Sequence, residues 1–107
     1  MTIRDEIHQE IQQNPVILYM KGTAQAPMCG FSSVVVQILQ TLKIPFKGVN
    51  VLENEAIRQG IKDYTQWPTI PQLYIQGEFV GGCDIVRELY QTGELEKMAK
   101  EKGLVAS

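Results

Sequence analysis

The chain holds two thiols, Cys29 and Cys83, and these are the side chains most able to do redox or soft-metal chemistry. Cys29 follows a loop and stands where a helix is expected to begin. Unpaired backbone N–H groups and the positive end of a helix dipole there favour its thiolate. The same residue also reads as a buried structural cysteine, a common fate for a free thiol. Its neighbours form Cys29-Gly30-Phe31-Ser32, with a serine where a Cys-x-x-Cys redox motif carries its second thiol. A hydroxyl cannot form a disulfide, so an intramolecular dithiol cycle within this motif is excluded. The partner thiol must come from glutathione or from Cys83.

Other residues supply binding chemistry. Lys21 and Arg58 can clamp a carboxylate, or serve only as solvated surface charge. Gly81-Gly82-Cys83-Asp84 offers an approachable backbone at a helix start, with Asp84 able to pair with an amine; it also reads as a plain helix cap. Ile70-Pro71 can hold a cis bond that turns a backbone edge toward Cys29, or an ordinary trans turn. Trp67 fits a core or a shielding role equally.

The elements that must position these residues can be read from periodicity. Ile3, Ile7 and Ile11 recur every four residues behind a Thr2/Asp5 capping-box spacing, which predicts a helix over 3–13. Asn14-Pro15 ends it. The apolar run Val16 to Met20 predicts a strand buried on both faces, followed by a loop over 21–28. Val35, Ile38, Leu39 and Leu42 continue a helix from Cys29-Gly30, and Phe46 to Val51 reads as a second strand. Asn54 caps a helix carrying Ile57, Ile61 and Tyr64, which Trp67-Pro68 breaks. Two strands flank the turn Gln76-Gly77-Glu78. Asp84 is then expected to cap a helix with Ile85, Val86, Leu89 and Tyr90, and a last short helix carries Leu95 and Met98. A right-handed crossover between the first two strands, followed by a hairpin, gives an α/β fold: a central four-stranded mixed sheet flanked by helices.

Composition sets the outer bounds. One domain is expected over residues 1–107, with 44% apolar and 21% charged residues suiting an ordinary globular core. A net charge of −2 lacks the footprint of a nucleic-acid binder. No stretch approaches the roughly 18 consecutive apolar residues of a membrane span. The opening residues resemble neither a signal nor a transit peptide, so a cytoplasmic location is expected, with the cysteines reactive rather than cross-linking.

With these motifs in order, the chain resembles the monothiol glutaredoxins of the CGFS type, within the thioredoxin superfamily. The resemblance rests on Lys21-Gly22-Thr23, Pro27-Met28-Cys29-Gly30-Phe31-Ser32, Trp67 to Tyr74, and Gly81-Gly82-Cys83-Asp84. It implies a thioredoxin-like fold with cis Pro71 and a glutathione groove. In that groove Lys21 and Arg58 would meet the glycine carboxylate, and the Ile70 backbone would pair with the tripeptide main chain. The Cys83 N–H and Asp84 would hold the γ-glutamyl end. The resemblance further implies a [2Fe–2S] cluster between two protomers. A cluster of this kind takes four thiolates, so two Cys29 side chains and two glutathiones complete it in a homodimer. BolA-like proteins are an implied partner class, with apo iron–sulfur proteins as acceptors. The competing function is a glutathione-dependent thiol–disulfide oxidoreductase that uses Cys29 to remove glutathione from substrates. Cys83 either contributes its backbone to the groove or pairs with Cys29 on oxidation.

Overall fold

The computed structural model of this protein describes residues 2–105. The first helix, α1 (Ile3–Gln13), starts at a complete capping box, with Thr2 and Asp5 each accepting the other's backbone N–H at 3.2 Å. Those bonds satisfy two donors that a helix start would otherwise leave open. Strand β1 (Val16–Met20) is buried along its whole length, as its unbroken apolar run requires. Helix α2 (Gly30–Thr41), strand β2 (Lys47–Asn50) and helix α3 (Glu55–Thr65) follow, then the hairpin of β3 (Gln72–Ile75) and β4 (Glu78–Gly81). Helices α4 (Cys83–Thr92) and α5 (Glu94–Glu101) complete the described chain.

The strand order is β2-β1-β3-β4, with β1 parallel to β2 and antiparallel to β3, and β3 antiparallel to β4. This is the expected four-stranded mixed sheet with flanking helices. The two-residue alternation of β1 sorts the core into two layers. Val16, Leu18 and Met20 pack with Val35 and Leu39 of α2 and Val86 of α4. Ile17 and Tyr19 point the other way, into Ile7 and Ile11 of α1 and Ile61 of α3.

The structure departs locally from the sequence reading at the end of β2 and the start of α4, and by one residue at the start of β4, where Glu78 belongs to the strand rather than the turn. The second strand is shorter than 46–51, because Val51–Glu53 turns into a 3₁₀ segment capped by Asn50. The Asn50 Oδ1 accepts from the N–H groups of both Leu52 and Gly22, at 3.0 Å each, so one side chain ends β2 and anchors the loop after β1. Asp84 does not cap α4. Gly82 holds that position, and Asp84 lies in the first turn, where its carboxylate complements the helix dipole.

Candidate functional site

The loop leaving β1 is fixed by hydrogen bonds before it reaches the thiol. Lys21 donates its N–H to the Ser32 hydroxyl at 3.1 Å, and its carbonyl accepts the Met28 N–H at 2.9 Å. Ser32 is fully buried. In place of a resolving thiol, position 32 therefore carries a hydroxyl that ties the lysine loop to α2.

Cys29 stands at the N-cap of α2 in extended conformation, partly exposed. Its carbonyl accepts the Ser33 N–H at 2.9 Å, but no formal side-chain cap closes on the sulfur. The backbone N–H of Ser32 is the main influence on the thiol and holds its pKa below the ordinary value. Partial burial opposes this, while the Phe31 N–H, the Lys21 ammonium and the Ser32 hydroxyl add to it. Of the two readings of Cys29, the accessible thiolate at a helix start is the one the structure supports.

The thiol opens into a cleft of about 640 Å³. Lys21, Cys29 and Phe31 form one part of its lining, the segment from Trp67 to Pro71 a second, and Gly82 to Ile85 a third. The Ile70-Pro71 bond is cis. Cys83 is buried, and its Sγ accepts from Arg87 at 3.5 Å. Both cysteines are free thiols. A second hollow of about 710 Å³ lies between α1 and β2, but it contains neither thiol, and the chemistry assigns the site to the cleft at Cys29.

Of the residues singled out in the sequence, Lys21, Cys29, Ile70, Pro71, Cys83 and Asp84 thus come together, with Trp67 and Gly82 beside them. Arg58 is not among the lining residues; its guanidinium sits 3.9 Å from the Glu55 carboxylate on the same helix. One turn further along α3, Lys62 does line the cleft, as does Thr69. The signal for Lys62 was its i,i+4 spacing from Arg58, which sets both on one helix face. Met28 and Phe31, 71% and 60% exposed, leave apolar surface on either side of Cys29.

A thiol at the start of a helix, a neighbouring cis-proline and a mixed sheet between helices define a thioredoxin-like thiol protein. The glutaredoxin profile matches residues 16–80. A probable monothiol glutaredoxin 2 of Rickettsia typhi is 55% identical over 90% of this chain and 86% of its own length. The chloroplastic monothiol glutaredoxin-S14 of Arabidopsis thaliana is 56% identical over 89% of the chain, which spans only 55% of that longer protein. In three dimensions, the buckwheat glutaredoxin–glutathione complex superposes with a TM-score of 0.85 at 26% identity, covering 97% of this chain and 93% of that one. The chain belongs to the glutaredoxin family, and within it to the monothiol glutaredoxins.

Proposed function

We propose that this protein binds glutathione in the cleft at Cys29 and carries a [2Fe–2S] cluster held between two protomers, delivering it to apo iron–sulfur proteins. The observation that carries this reading is a partly exposed thiol with a lowered pKa, in a cleft that also holds the Lys21 and Lys62 ammoniums and the Asp84 carboxylate. Glutathione presents two carboxylates and one amine, which match those charges. The buckwheat glutaredoxin of the same fold was solved with glutathione.

Ligand chemistry supports the shared cluster. Among the described residues, no three His, Cys, Asp or Glu side chains gather as a metal site. Cys83 is buried and engaged by Arg87, so each chain offers Cys29 alone at the cleft mouth. A [2Fe–2S] cluster takes four thiolates. Two Cys29 and two glutathione thiolates make that number, and a second copy would cover the exposed Met28 and Phe31. In this reading a BolA-like protein takes the place of one protomer. With half its ligands held non-covalently, the cluster is cargo rather than a permanent centre.

The test is anaerobic reconstitution with iron, sulfide and glutathione, followed by visible absorption and size-exclusion chromatography. A coloured dimer is expected, lost without glutathione and lost in Cys29→Ser. Colour retained at full stoichiometry in that variant would overturn the ligand assignment.

The same lowered thiol favours a second reading, in which the protein removes glutathione from protein mixed disulfides. The Cys29 thiolate attacks the glutathione sulfur, and the protein thiolate leaves. A second glutathione thiolate then attacks the Cys29–glutathione disulfide, releasing oxidised glutathione and restoring Cys29. Atoms and electrons balance without Ser32. Steady turnover of a small mixed disulfide by a colourless monomer is what this reading expects.

A further inference from the structure

Gln72 is a primary amide with no solvent exposure, seated at the start of β3 directly after the cis-proline. A buried side chain of this polarity is costly unless its hydrogen bonds are made. Here they are. The amide NH₂ donates to the carbonyls of Trp67 and Thr69, at 3.1 Å each. Its Oε1 accepts from the Tyr74 hydroxyl at 2.9 Å and lies 3.2 Å from the Thr65 hydroxyl, whose one proton is shared with the Ile61 carbonyl. The partners also fix the amide's orientation, because two carbonyls can only accept.

The two halves of this amide face different parts of the molecule. The oxygen faces the interior, toward α3 and the aromatic layer. The NH₂ faces the segment 67–69, which is exposed along its length yet lines the cleft and leads into Ile70. The Trp67 N–H has a separate hold on the Thr65 hydroxyl at 3.2 Å, but the Thr69 carbonyl has Gln72. An apolar residue could fill the same buried volume. It could not hold two carbonyls of a surface segment inward, and those carbonyls, once released, would turn to water.

We propose that Gln72 is a positioning residue for glutathione: its NH₂ group clamps the 67–69 segment and so sets the cleft wall that presents Ile70. This deepens the glutathione reading above and rests on it. The chain's one tryptophan, Trp67, lies on the clamped segment and reports its position independently of any ligand.

The experiment compares wild type, Gln72→Met, Gln72→Asn and Tyr74→Phe by acrylamide quenching of Trp67, urea unfolding and glutathione titration calorimetry. Gln72→Met fills the space without donors. Gln72→Asn draws the NH₂ back by one methylene and gives the same reading should the methionine variant fail to fold. Both are expected to raise Trp67 quenching in the folded state and to weaken glutathione binding roughly tenfold, in line with two lost hydrogen bonds. Tyr74→Phe removes a bond on the oxygen side only. It should lower the urea midpoint while leaving quenching and affinity at wild-type values. Unchanged glutathione affinity in a folded Gln72 variant overturns the proposal, as does an equal loss of affinity in Tyr74→Phe. Raised quenching in the Gln72 variants, with no glutathione binding even by wild type, would keep the clamp and remove the glutathione reading.

Discussion

The Cys29 sulfur meets two kinds of positive potential, the first N–H groups of α2 and the Lys21 ammonium, and their order of strength is testable. The Ser32 N–H is the leading cause of the lowered pKa, and Lys21 is a lesser one. Only the thiolate is alkylated, so the rate at Cys29 should rise with pH and reach half its plateau at lower pH in the folded chain than in urea. The unfolded thiol should titrate near the ordinary value of about 8.5. Lys21→Gln should recover only a minor part of that difference, because the backbone of α2 remains. Peptide mapping by mass spectrometry after timed iodoacetamide pulses separates Cys29 from Cys83. A Lys21→Gln midpoint equal to that of unfolded chain would mean that charge, not helix geometry, activates the thiol.

At the scale of elements, the turn from β4 into α4 decides where Cys83 and Asp84 sit. Gly81 has φ +150°, and a Cβ there would lie 2.7 Å from the Ile85 Cβ. Gly93, between α4 and α5, has φ +82° but open space around a Cβ. Alanine at either position strains the backbone, by about 1 kcal/mol at Gly93. Only at Gly81 does it also push on Ile85, so Gly81→Ala should cost about 2–3 kcal/mol, read from urea unfolding. Equal losses at the two sites would show that the contact with Ile85 is easily relieved. The elements themselves were legible because their signals are local: a capping box before α1, an unbroken apolar run for β1, prolines after α3. Asp84 was misplaced by two positions because Asp is favoured both as a cap and in the first turn, and only the backbone separates the two. Lys62 and Gln72 escaped for a different reason. The spacing of Lys62 sets it on the same helix face as Arg58, but only the fold decides which of the two reaches the cleft. A polar residue in a strand, as Gln72 is, carries no sign of which carbonyls it will meet.

Across the whole molecule, the cleft belongs to no single element. Lys21 follows β1, Cys29 opens α2, Lys62 ends near the close of α3, and Asp84 lies in α4. α2 and α4 pack on one face of the sheet and α3 on the other, so the lining exists only when both core layers are formed. A ligand that bridges these parts binds the native state and not the unfolded chain. Glutathione should therefore raise the melting temperature in proportion to the logarithm of its concentration. At a hundredfold excess over its dissociation constant, the added stability is about 2.7 kcal/mol. For a domain of this size that corresponds to a rise of roughly 10 °C. Cys29→Ser should keep most of the rise, since the charged groups proposed to match the tripeptide lie elsewhere in the cleft, even though the same substitution is expected to abolish the proposed cluster assembly. Differential scanning calorimetry of both chains across a glutathione series checks this. A melting temperature indifferent to millimolar glutathione in wild type would show that the cleft selects some other ligand. A rise lost entirely in Cys29→Ser would place the binding energy in the sulfur contact rather than in the surrounding walls.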